Sequence, residues 1–211
     1  MKLICACLIA AGSASFLLLF YFMEIEPEWF WVQMAFTNLI LTFAVLSVDP
    51  HLRLELRRDS ASTLGKKIAL GLASAAALYL LFFAGHAVLS LVFHNSVSTQ
   101  IDKVYTLKKA LPAWQIALLI ALIIAPGEEL FWRGWLQKAL CQRYGVSRGV
   151  LLALLTYGGV HITSGNLPLV IAAMICGAFW GTLYQYRGSL AVNITSHISW
   201  DLLVFLILPL R

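Results

Sequence analysis

Residues Ile123–Leu136 read "IIAPGEELFWRGWL". Two adjacent glutamates, Glu128 and Glu129, and an arginine, Arg133, interrupt an apolar run in a chain of 211 residues that is 61% hydrophobic and 12% charged. A soluble domain of this length needs far more polar surface. The composition therefore points to an all-α, polytopic integral membrane protein, and the mean hydropathy of +0.84 agrees.

Working outward from that stretch, a bilayer core takes about 20 mostly apolar residues per helix. About seven runs meet this, near residues 3–23, 29–48, 68–93, 113–140, 146–161, 167–184 and 190–208. The third is long, and a tilt or break is expected near Gly85-His86. The turn-like "SGNLP" and "YRGS" separate the last three. The first run also carries features of a signal peptide, with Lys2 before it and the small residues "GSAS" within it. Its apolar length exceeds the roughly 7–15 residues of a signal h-region, which favours a membrane span. Gly145-x-x-x-Gly149 and Gly177-x-x-x-Gly181 are spacings that permit close helix contact.

The formal charge is +5, yet the basic residues lie between apolar runs rather than in one patch, so no nucleic-acid partner is expected. Membrane lipid is the expected surrounding. With the N-terminus cytoplasmic, strict alternation puts Lys2, Arg53, Arg57, Arg58, Lys66, Lys67, Lys138, Arg143, Arg148 and Arg187 inside. Only Lys103, Lys108, Lys109 and Arg211 fall outside. The small size and lack of extra domains point to a prokaryotic plasma membrane. Cys5, Cys7, Cys141 and Cys176 form no CxxC pair, so neither a disulfide framework nor a zinc knuckle is expected.

Charges at membrane depth cost about 2.5–3.5 kcal/mol each on insertion scales, which makes function the first hypothesis for them. Glu129 and Arg133 are spaced i, i+4 with the acid first, the favourable order for an ion pair. Glu128 points about 100° away and has no partner on its own helix, so it is suited to accept and return a proton. The competing structural reading is an interfacial charge cluster anchored by Trp132 and Trp135. His161 closes "TYGGVH" one turn after Tyr157, again a position that an interfacial histidine could occupy. In "AVNITSHISWDLLVF" Asn193, His197 and Asp201 form a polar stripe at i, i+4 and i+8, for which the competing reading is a polar packing ladder. His51 and His94 read as solvated, and His86 as a packed or cavity-lining residue.

No G-x-S-x-G elbow and no HExxH helix are present. Hydrolysis without a cofactor fits these residues: a carboxylate activates water and histidine-type donors stabilise the oxyanion. A divalent metal such as zinc, held by Glu128, His161, His197 and Asp201, is a second arrangement that spacing leaves open.

"EELFWR", "YGGVH" and "HISWD" resemble, in order, the EExxxR, FxxxH and HxxxN motifs of the CAAX-protease and bacteriocin-processing family of intramembrane proteases. The resemblance covers roughly residues 120 to 205. It implies a catalytic helix core over residues 113–208, with residues 1–112 supplying accessory helices and loops in one membrane-embedded domain. It also implies that Glu128 activates water with His161 assisting, that His197 and residue 201 face the carbonyl oxygen, and that Glu129 and Arg133 hold the motif helix. Asn193 and Tyr157 would support these groups. The implied substrate is a peptide or lipidated protein cut near or within the membrane. Tyr157 stands where the family has Phe, and Asp201 where it has Asn. An ionised Asp201 cannot donate to an oxyanion; it would have to be protonated, orient His197 or bind a metal. Two other classes use the same residues: a proton-coupled carrier, and a non-catalytic immunity or scaffold protein. One tension remains. Alternating spans place Glu128 toward the cytoplasmic half of its helix and His161 at the outer end of the next, yet the two must meet at one depth.

Overall fold

The computed structural model describes residues 2–61, 63–92 and 96–210, and the side chains among them outside residues 2–5, 60–61, 88–92 and 96–97. His94 and Arg211 lie outside the described residues, as does the side chain of Cys5. Among the described residues the chain is helical without strands. The helices are α1 (Lys2–Ile25), α2 (Phe30–Val48), α3 (Pro50–Ala61), α4 (Leu64–Val92), α5 (Ser96–Thr106), α6 (Ala113–Tyr144), α7 (Val146–Gly159, continued by a 3-10 turn Val160–Ser164), α8 (Leu167–Arg187) and α9 (Leu190–Ile207). Seven of them, all but α3 and α5, are long and apolar enough to cross a membrane. α4 runs unbroken through Gly85 and His86, so the expected break there is absent.

Large apolar side chains such as Leu18, Phe36, Phe43, Leu80 and Phe83 are exposed around the outside. This suits a lipid-facing surface, since hydrocarbon tails are as apolar as the side chains they touch. The interior belongs to α6, whose residues Glu129–Gln137 are all buried. α2, α7, α8 and α9 surround it, and Phe16 of α1 packs on its Trp132. Pro126 removes one backbone donor from α6, and the turn before it widens: the Ala125 N–H donates to the Ile120 carbonyl, five residues back. A second wide stretch spans Glu129–Gln137 and includes Glu129 and Arg133. Such π-type turns in α-helices are frequent at functional sites.

α6 has 32 residues, roughly 48 Å at 1.5 Å per residue and well beyond a bilayer core of about 30 Å. It turns into α7 at Gly145, whose φ of +80° lies in the region that favours glycine. The two helices then pack so closely that a Cβ on Gly149 would sit 2.4 Å from the Cys141 backbone. The Gly145/Gly149 spacing is thus an intrachain hairpin contact.

Around this turn, α3 lies across the ends of the spans. Glu55 pairs with Lys138 of α6 and accepts the Tyr184 hydroxyl of α8 at 2.8 Å. Asp59 accepts the Ser189 hydroxyl at 2.8 Å and the Ala191 N–H at 2.7 Å, capping α9, and pairs with Lys67 at 2.7 Å. On the opposite side, α5 holds the start of α8: Asn166 Nδ2 donates to the Gln100 carbonyl at 2.7 Å, and the Leu167 N–H to Gln100 Oε1 at 3.0 Å.

Candidate active site

Glu128 and Glu129 diverge as adjacent helical residues must, and the packing gives them different neighbours. Glu129 is fully buried. Its Oε1 accepts from Arg133 Nη1 at 3.0 Å, on the same helix, and from His197 Nδ1 at 2.8 Å, on α9. Its Oε2 accepts from Asn193 Nδ2 at 3.0 Å. One carboxylate thus ties α6 to α9 and compensates the buried guanidinium, as a charge at this depth requires. The interfacial reading of the cluster fails on burial: Arg133 and Trp132 are each 2% exposed, and Trp135 is also buried.

Glu128, 4% exposed, faces α7 instead. Among the described residues its one hydrogen-bond donor is the Tyr157 hydroxyl, 3.1 Å from Oε2. His161 sits one turn further along α7, buried rather than interfacial. Its Nδ1 lies 2.8 Å from the Tyr157 carbonyl. A carbonyl only accepts, so Nδ1 carries the hydrogen and Nε2 of the neutral ring holds the free lone pair. Glu128 and His161 make no direct hydrogen bond with each other; Tyr157 links them. Phe20 of α1 covers His161, with ring centroids 4.1 Å apart.

On α9 the polar stripe faces inward: Asn193, His197 and Asp201 are all buried. Asp201 Oδ2 lies 3.5 Å from His197 Nε2, on the ring edge opposite Glu129. All eight residues singled out in the sequence (Glu128, Glu129, Arg133, Tyr157, His161, Asn193, His197 and Asp201) thus belong to one buried cluster built from α6, α7 and α9. His86 is half-buried on α4 and His51 exposed on α3; neither joins it. Among the described residues, no group of three or more His, Cys, Asp or Glu side chains is arranged to hold a metal ion.

Two contributors were missed. Trp180 of α8 stacks on His197 at 3.8 Å and 23°, its indole N–H donates to Ser196 Oγ at 3.1 Å, and its carbonyl accepts from Asn193 at 2.9 Å. A lone tryptophan in an apolar run gives no signal for this. Asn38 of α2 is fully buried against Gly127, with Oδ1 unpartnered. It does give a signal, as a strong amide in the middle of a membrane span.

The helical bundle thus gathers paired carboxylates, two histidines and an arginine in its interior. Residues 110–203 match the family model described as type II CAAX prenyl endopeptidase Rce1-like. This is the family that the three motifs resemble, it is one of proteases, and the match runs from just before α6 to Leu203 of α9. No curated protein and no solved structure matches the chain.

Proposed function

We propose that the chain is an intramembrane endopeptidase in which Glu128 activates the attacking water. The observation that carries this is the unequal treatment of the two glutamates. Three donors occupy Glu129, whereas Glu128 receives one hydroxyl on Oε2 and keeps Oε1 for a water. Glu128 takes the water's proton with His161 Nε2 assisting, and the hydroxide adds to the substrate carbonyl. His197 gives its Nδ1 hydrogen to Glu129, so a second donor at Nε2 exists in the imidazolium form. Glu129 and Asp201 flank that cation on both edges. This supports His197 as the oxyanion donor; Asp201, 3.5 Å from the same Nε2, balances the cation and leaves that N–H to the oxyanion, a role open to an ionised aspartate and not to the asparagine of the family motif. The proton held by Glu128 then passes to the leaving amide nitrogen. Asn193, Glu129 and Arg133 hold α6 and α9 together around these groups.

The Rce1-like domain supports a prenylated CAAX-type peptide as the substrate class, with other membrane-borne peptide precursors as the alternative. The charge bias between the two ends of the spans supports a cytoplasmic N-terminus. Purified protein in liposomes, offered matched prenylated and unprenylated fluorogenic peptides with and without a chelator, tests the reading. Cleavage that survives the chelator and disappears in His197→Ala agrees with it. Cleavage lost to the chelator and restored by zinc replaces it with a metal-dependent mechanism.

A further inference from the structure

We propose that the Tyr157 hydroxyl is a positioning group that sets which oxygen of Glu128 receives the proton of the attacking water. The inference rests on the reading of Glu128 as the base. It concerns the single atom by which this chain departs from the FxxxH motif it resembles.

The tyrosine ring needs no hydroxyl to stay where it is. The Arg133 guanidinium lies 4.4 Å over one face, and the rings of Trp132 and His161 meet it edge-on, each at 5.3 Å. From α8, Gly177 comes close enough that a Cβ there would stand 2.9 Å from Tyr157 Cδ1. A phenylalanine would fill this slot equally well. The hydroxyl, by contrast, donates to Glu128 Oε2 at 3.1 Å and lies within reach of the Arg133 guanidinium.

With Oε2 held, rotation of the carboxylate is restricted and Oε1 becomes the proton acceptor. The backbone carbonyl of the same residue fixes the His161 tautomer. Tyr157 therefore aligns both groups that face the water. Its O–H bond stays intact throughout. The water proton moves to Glu128 Oε1, the oxygen bonds to the substrate carbon, the C–N bond breaks, and the amine nitrogen leaves with the proton from Glu128.

The test compares wild type, Tyr157→Phe and Glu128→Gln. The expected result for Tyr157→Phe is an unchanged melting temperature, an unchanged KM and a kcat lower by roughly tenfold or more, the scale of one hydrogen bond to a charged group. A wild-type or raised kcat overturns the proposal, as does a loss that only follows a lowered melting temperature. A readout independent of substrate accompanies it. The infrared difference spectrum of Tyr157→Phe against wild type should show one shifted carboxyl band, and that band should vanish in the Glu128→Gln background; a spectrum without it also overturns the proposal. Full cleavage by Glu128→Gln instead removes the base reading itself, and this inference with it. Loss in Glu128→Gln with no effect in Tyr157→Phe removes the inference alone.

Discussion

Glu128 and His161 lie 17 residues before and 16 residues after Gly145, the turn of one antiparallel helical hairpin. They therefore sit at one depth, roughly 25 Å along each arm at 1.5 Å per residue. The same register sets Cys141 against Gly149, four residues from the turn on either side. The depth conflict raised by alternating spans disappears because the extra length of α6 lets the hairpin, not the bilayer boundary, fix the register.

That register depends on backbone contact at Gly149. A methyl there would strike the Cys141 N and Cα atoms rather than a flexible side-chain end. We expect Gly149→Val to cost about 2 kcal/mol or more and to reduce cleavage, because the arms can no longer close. Thermal unfolding in detergent, read beside activity, checks this; a wild-type melting temperature would rule out the contact as described.

Trp180 fixes the His197 ring plane. Trp180→Leu should lower kcat by roughly 3- to 10-fold, from the loss of about 0.5–1.5 kcal/mol of ring stacking. Trp180→Phe should recover most of it. Steady-state kinetics on the pair decides, and equal activity in both variants would show that the stack is passive.

Asp59, outside the spans, links stability to pH. Burial pushes its carboxyl up, but the Lys67 ammonium, the Ala191 N–H and the Ser189 hydroxyl hold it below its ordinary value of 3.8. A lowered folded value means that the contribution is complete above the unfolded value and is lost as pH falls through the folded one. Asp59→Asn should therefore be less stable than wild type at neutral pH, with the gap closing below about pH 3.8. Melting curves of both proteins across this range test it; a gap that widens in acid contradicts it.

Much of the fold was legible because lipid-facing helices advertise themselves by composition. All seven spans match runs in the sequence to within a few residues at most ends. The Glu129–Arg133 pair was legible because both residues share a helix, where four-residue spacing implies contact. The Glu129–His197 bond was not, since 68 positions and two helices separate its partners. Nor was the link from Tyr157 to Glu128, which depends on the rotation of α7 about its axis. Gly177-x-x-x-Gly181 gave a spacing without a partner. Its meaning emerged when Gly177 met the Tyr157 ring and the Gly181 carbonyl accepted from Gln137 at 2.9 Å.

The division of labour between the two glutamates is the centre of this account, and cleavage by Glu128→Gln beside Glu129→Gln, each with its melting temperature, tests it most directly. Glu128→Gln should fold as wild type does and cleave nothing. Glu129→Gln should be destabilised by about 3–5 kcal/mol, because Arg133 is left buried without its carboxylate. A Glu128→Gln protein that still cleaves at the wild-type rate would contradict the account.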